Sequence, residues 1–260
     1  VGEVRWVRLE GAANVRDLGG LPTEDGRCTA YRRLLRSDNL QGLTDADRRL
    51  LVDDLGLRTV VDLRTEVELV REGPGPLTRE PLVVHRHHSL LPAAGKLTDV
   101  AADALLPWQE GDGASSSAGP VVNYLRYLRD RPDSVLAALR SVARPDRGGA
   151  AVVHCAAGKD RTGVVIALAL SAVGVCRDAV VADYVATGEV IEAIVGRLLR
   201  RPTYAEDVSR RPVRDHRPRA ATMEGFLAAL DGRFGGPVGW LAAAGFGAAE
   251  VAALRARLLD

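Results

Sequence analysis

Residues 150–173 constrain this chain more than any other stretch. Ala150-Ala151-Val152-Val153 is an unbroken apolar run, the pattern of a strand buried on both faces. It passes directly into His154-Cys155-Ala156-Ala157-Gly158-Lys159-Asp160-Arg161-Thr162-Gly163. From Thr162 to Val173 the chain is apolar on nearly every helical face, so that helix must be buried as well. A strand covered on both sides that feeds a helix covered all round demands a layered α/β architecture.

The rest of the chain supplies the layers. Arg58 to Arg64 reads as a second buried strand ending in charge, and Leu82 to His85 as a third. Helices are expected from Thr44 as N-cap to Leu55, with Gly56 as stop, and over Val121–Arg131, Asp133–Ala143, Arg177–Thr187 and Glu189–Arg201. Two more are expected near Met223–Leu230 and Ala248–Leu259, around a short apolar piece at Trp240. The first thirty residues read as short strands and turns. A glycine- and serine-rich loop is expected at about 107–120, within a single domain spanning 1–260, because apolar elements of one core lie on both sides of it.

Composition removes several functions. The 260 residues carry a net charge of +1, which argues against a bulk nucleic-acid binder. No apolar run reaches the roughly 18 residues of a membrane-spanning helix. Cys28, Cys155 and Cys176 are too few and odd in number for a disulfide framework. His85, His87 and His88 lie close together, but no second ligand cluster accompanies them, so they read as polar residues at a strand end and no metal is expected. No cofactor is implied.

The ten-residue loop carries the chemistry. Gly158 and Gly163 let the backbone curl. Curling aims successive N–H groups inward, a nest for a tetrahedral dianion. The helix that follows adds partial positive charge at its N-terminus. Arg161 offers a planar fork for two phosphate oxygens. The same field lowers the Cys155 thiol below the roughly 8.5 of free cysteine. A thiolate held beneath phosphorus is set for in-line attack and a covalent phosphocysteine. A lone Cys-x5-Arg would be weak evidence; here it comes with strand–loop–helix context.

The loop resembles the signature of protein tyrosine phosphatases. Its Gly-Lys-Asp-Arg-Thr-Gly form is similar to that of an atypical bacterial branch related to dual-specificity and phosphoinositide phosphatases. Asn14-Val-Arg16-Asp17-Leu-Gly-Gly20, Arg36-Ser37-Asp38, Asp62-Leu63-Arg64, Val181-Ala-Asp183-Tyr184 and Gly235-Gly236-Pro-Val-Gly-Trp240-Leu extend the resemblance over nearly the whole chain. Gly188 stands where members often have Asn. The resemblance implies a protein tyrosine phosphatase-like α/β fold, with a mostly parallel central sheet flanked by helices. It implies a cysteine-dependent phosphatase acting on phosphorylated proteins or phosphoinositides. Cys155 would be the nucleophile and Arg161 the phosphate clamp. Ala156, Ala157, Gly158, Lys159, Thr162 and Gly163 would bind substrate, Thr162 would donate to the cysteine sulfur, and His154 would orient the loop.

The general acid is not evident. Classical members carry it in a Trp-Pro-Asp sequence, and here Pro107-Trp108 is followed by Gln109. Asp62, at the end of a central strand, is the preferred acid; Asp160, inside the loop, is a second site residue. Position argues against a low-molecular-weight phosphatase or arsenate reductase, whose Cys-x5-Arg lies near the N-terminus. Retention of both Cys155 and Arg161 argues against a binding module.

Two further features bear on substrate. Only Lys96 and Lys159 are lysines, so an ammonium inside the loop suggests a contact with a second phosphate. The stretch 189–219 could form a lid. Val190, Ile191, Ile194, Val195, Leu198 and Leu199 line one helical face, and a proline-bearing basic segment, Arg200 to Arg219, follows. The branch that this chain resembles covers its site with helices from this region. A permanently packed helix with a solvated basic loop is the plainer alternative. A cytoplasmic location is the default, and the resemblance admits export without a classical signal.

Overall fold

The computed structural model describes residues 4–91 and 118–260. Among these, six strands form one sheet: β1 (Arg5–Trp6), β2 (Arg16–Asp17), β3 (Leu34–Ser37), β4 (Leu57–Asp62), β5 (Val84–His87) and β6 (Ala150–His154), in the order β1-β2-β3-β6-β4-β5. The β1–β2 and β2–β3 pairings are antiparallel; β3–β6, β6–β4 and β4–β5 are parallel. This mostly parallel sheet flanked by helices agrees with the α/β fold expected from the sequence, with β6 inside its parallel part.

Alternation along the strands divides the core. Leu34, Val61 and Val153 face one apolar layer, whereas Leu35, Val60 and Val152 face another. The second layer rests on α1 (Asp45–Arg49), which widens into a π-helical turn over Leu50–Asp54. Thr44 caps α1 as expected, in a reciprocal box with Asp47. The first layer is covered by α3 (Ala118–Asp130), α4 (Pro132–Ala143), α5 (Asp160–Ala172) and α6 (Arg177–Ala186), with α9 (Ala220–Phe234), α10 (Pro237–Ala243) and α11 (Ala248–Leu258) outside them. A short α2 (Glu66–Glu72) follows β4. Between α6 and α9 lie α7 (Ile191–Leu199) and α8 (Pro202–Ser209).

Several boundaries differ from the sequence reading. β5 spans Val84–His87, not Leu82–His85, because its ladder follows β4 from Thr59↔Val84 to Asp62↔His87. As an edge strand it tolerates histidines within its length. Of the loop expected at 107–120, residues 118–120 already belong to α3, and the remainder, 107–117 with Trp108, falls outside the described residues. α5 begins at Asp160, so Asp160 and Arg161 form its first turn instead of the loop proper. α8 was missed because Pro202 reads as a breaker. It occupies the first turn of α8, where its absent N–H costs nothing.

Parallel registers bring the strand ends level. Ser37 pairs with His154, His154 with Asp62, and Asp62 with His87. The loop after β6 therefore emerges at the carboxyl edge of the sheet, where open α/β sheets place ligand sites.

Candidate active site

Cys155 is 1 % exposed, at the end of β6. The three carbonyls after it are held from outside. The Asn39 N–H donates to Ala156 O at 2.9 Å. The Asn14 amide donates to Ala157 O at 3.0 Å and Gly158 O at 3.1 Å, and Arg36 donates to Gly158 O at 2.5 Å. In a trans peptide the N–H points opposite to its carbonyl. Pinning these carbonyls outward leaves the amides of 157, 158 and 159 on the opposite side, toward the inside of the curl. Gly158 has φ of +66°, and a Cβ there would lie 2.4 Å from Ser37 O, so only glycine fits.

Arg161 is fully buried at the start of α5. Its Nη1 donates to Leu63 O at 3.1 Å and to Glu68 Oε2 at 2.7 Å, and its Nη2 donates to Glu68 Oε1 at 2.9 Å. Glu68 thus fixes the plane of the guanidinium bidentately. Burial pushes the Glu68 carboxyl up, but Arg161 and the Thr65 amide outweigh it and hold the group below its ordinary value. Sequence reasoning missed Glu68. The available signal was the Thr65–Glu68 capping box at the start of α2, which marks a helix end and says nothing about a partner 93 residues away.

The two candidate acids differ in surroundings. Asp62 is 7 % exposed and accepts from the Arg64 N–H at 3.0 Å and from its guanidinium at 2.7–3.1 Å. His154 Nε2 lies 3.5 Å from Asp62 Oδ2. Burial pushes Asp62 up, but His154 and Arg64 hold it far below the usual carboxylate range. Asp160 accepts from the Tyr124 hydroxyl at 2.5 Å and lies 3.5 Å from the Lys159 ammonium. Tyr184 meets the Tyr124 hydroxyl at 2.8 Å.

His154 is buried, and burial pulls its pKa down to about 4 against the pull of Asp62. Its ring is therefore neutral near pH 7. Gly163 packs under the Tyr184 ring, and an added Cβ would lie 3.1 Å from it. The Thr162 hydroxyl is buried and makes no hydrogen bond, so the expected bond to the cysteine sulfur is not formed in this state. Lys159 donates to His216 O at 3.1 Å. Of the three neighbouring histidines, His87 bonds Arg64 O at 2.6 Å and His88 bonds Ser141 Oγ at 3.0 Å.

α7 and α8 cover the loop. Ile191, Ile194, Val195, Leu198, Tyr204 and Val208 pack on Ala156, with Ala13 and Ala157 at the margin. Arg197 of α7 reaches Asp38 Oδ2 at 3.2 Å and also bonds Gly11 O. A cavity of about 50 Å³ remains between these helices and the loop, lined by Lys159 and Asp160 among others. That is room for a few waters at roughly 10–15 Å³ each. A larger cleft of about 440 Å³, lined by Thr59, Arg86 and Arg140, contains none of the loop residues. Chemistry, not size, locates the site.

A family model described as "Tyrosine phosphatase family" matches residues 7–260. The chain belongs to the tyrosine phosphatase family. It is 36 % identical over 210 residues to the triple specificity protein phosphatase PtpB of Mycobacterium tuberculosis, covering 73 % of this chain and 72 % of that one. A putative tyrosine-protein phosphatase of Cupriavidus necator is 33 % identical over 178 residues, 68 % of this chain and 61 % of the relative. A tyrosine-protein phosphatase of Nostoc commune is 30 % identical over 230 residues, 86 % of this chain and 73 % of the relative. This family member is thus a phosphatase with phosphorylated substrates. Among the described residues no helix is long and apolar enough to cross a membrane.

Proposed function

We propose that this phosphatase works through a phosphocysteine intermediate on Cys155. The observation that carries the reading is the loop that follows Cys155: carbonyls 156–158 held from outside, a helix that begins at Asp160, and a buried Arg161 fixed by Glu68. The Cys155 thiolate attacks phosphorus, the P–S bond forms as the bond to the leaving oxygen breaks, and the acid protonates that oxygen. Water then attacks phosphorus and passes its proton to the acid's carboxylate, the P–S bond breaks, phosphate leaves and the thiolate returns, with the Thr162 hydroxyl donating to the sulfur as it departs. Amides and Arg161 take up the charge that grows on the equatorial oxygens.

We assign the acid to Asp160, in place of the Asp62 preferred from sequence. Asp62 is engaged by Arg64 and held strongly ionised, whereas Asp160 lines the cavity beside the loop. Asp62 then steadies the uncharged His154 ring and Arg64.

The substrate reading is phosphotyrosine first, with phosphoserine, phosphothreonine and phosphoinositides as further substrates. The triple specificity of the M. tuberculosis relative supports a range wider than tyrosine. α7 and α8 act as a lid, because 50 Å³ does not admit a phosphotyrosine side chain.

The test uses aryl phosphates of graded leaving-group pKa. Cys155→Ser should lose turnover by about 10⁴-fold or more and still bind phosphate. Asp160→Asn should slow poor leaving groups much more than activated ones, with Asp62→Asn slowing both alike. Near-normal turnover by Cys155→Ser overturns the mechanism, and the reverse Asp pattern returns the acid to Asp62. Chelation should leave the rate unchanged.

A further inference from the structure

We infer that Asp183, on α6, is a positioning residue for the phosphate-binding loop, acting through two buried arginines. The inference rests on the phosphatase reading of that loop. Asp183 Oδ1 accepts from Arg16 Nε at 2.8 Å, and Oδ2 accepts from Arg36 Nη1 at 2.5 Å. Arg16, Arg36 and Asn14 are at most 1 % exposed, and Asp183 is 7 % exposed. Each arginine leads to the loop. Arg36 Nη2 donates directly to Gly158 O. Arg16 Nη1 donates to Asn14 Oδ1 at 2.5 Å, and the Asn14 amide holds Ala157 O and Gly158 O. Both arms converge on the carbonyl of the one loop residue with positive φ.

The arrangement is economical in charge. One carboxylate bonds two guanidinia, and Glu189 adds a weaker attraction to Arg16. Burial pushes the Asp183 carboxyl up, but Arg16 and Arg36 outweigh it, so it stays ionised. With Asp183 neutral, the two cations repel, and the arm that depends on each loses its anchor. The Gly158 carbonyl can then rotate, and the amide on the far side of that peptide turns away from the phosphate. Arg16 also bonds Asp183 O and Thr187 Oγ1 at 3.2 Å, so the same node ties the loop to the turn that leads into α7.

The experiment compares wild type with Asp183→Asn on para-nitrophenyl phosphate across pH, with inorganic phosphate as inhibitor and chemical denaturation as control. The expected result is a loss in kcat/KM of about 10- to 100-fold, the size that a small misplacement produces. Inhibition by phosphate should weaken by a similar factor. The acid limb of the kcat/KM profile should move to higher pH, because misaimed amides stabilise the thiolate less. A scaffold role alone would lower the denaturation midpoint and leave all three kinetic readouts unchanged, which overturns the inference. If Asp183→Asn does not fold, Asn14→Ala breaks one arm at its neutral end. It should show the same three changes at smaller size, and an unchanged profile there overturns the inference equally. Where both variants fold, their effects should combine less than additively; full additivity sinks the shared route. Wild type without phosphatase activity would instead defeat the reading of the loop.

Discussion

The phosphate loop and the lid that covers it are held by opposite means. The loop is gripped by buried polar side chains: Asn14, Arg36 and Glu68 reach it or its arginine from three separate elements. The covering helices are held chiefly by an apolar face, with Arg197–Asp38 at 3.2 Å and Arg201–Glu72 at 3.3 Å as polar ties to the body. Each buried aliphatic side chain contributes about 1.5–3 kcal/mol, and the face buries several of them against two ion pairs, so apolar burial is the larger contribution. The Tyr204 hydroxyl and Arg64 Nη1 are buried without hydrogen-bond partners. Directional bonds between charged groups give one geometry, whereas a non-directional apolar contact can be released and remade. The contrast is that of a loop fixed by directional bonds under a cover that we propose to be separable.

The sharpest way to break this comparison is at Glu68. Glu68→Gln should leave Arg161 without its buried counter-charge, at a cost of about 3–5 kcal/mol in stability. Turnover should fall about 100-fold with the loss of orientation. Urea denaturation and kcat/KM check both; unchanged values would mean that the cup is not set from outside.

His154 offers the next largest effect. Its folded pKa of about 4 lies below the roughly 6.5 of an unfolded histidine. The folded state therefore binds fewer protons, so this contribution is complete above about pH 6.5 and is lost as pH falls toward 4. The span is on the order of 3 kcal/mol. His154→Asn should flatten that part of the stability–pH curve relative to wild type. His88 and His216, whose pKa values burial also lowers, cancel in the difference.

At the lid, Leu198→Ala should hasten oxidation of Cys155 by peroxide about tenfold, equivalent to about 1.4 kcal/mol of closure. The global thermal midpoint should stay in place if the cover opens by itself. A fall in midpoint with unaltered oxidation would make α7 part of the permanent core. The smallest expected effect is at Lys159, whose ammonium holds the lid carbonyl of His216. Lys159→Ala should lower phosphoinositide turnover a few-fold more than phosphotyrosine turnover; equal losses would remove its role with a second phosphate.

Much of the cup was legible because its signals are contiguous. An apolar strand, ten residues of loop and an apolar helix lie in one stretch, and Gly158 announces the backbone it needs. Thr44 and Gly56 marked α1 in the same local way. α8 escaped because Pro202 has two meanings, breaker inside a helix and good starter at its first turn, and local sequence does not separate them. We propose Asp160 over Asp62 as the acid because a carboxylate's role depends on who faces it, and Arg64 faces Asp62 in three dimensions.

The amino-acid sequence alone determined the α/β layering, the loop with Cys155 and Arg161, and the apolar face of α7, since each follows from periodicity or from backbone chemistry within a few residues. Only the tertiary structure decided which carboxylates hold which arginines: Glu68 on Arg161 across 93 residues, and Asp183 on Arg36 across 147. The physical reason is that a salt bridge carries no periodicity. With 33 arginines and 34 acids in the chain, the sequence permits very many pairings, and burial at the carboxyl edge of the sheet selects the few that shape the site.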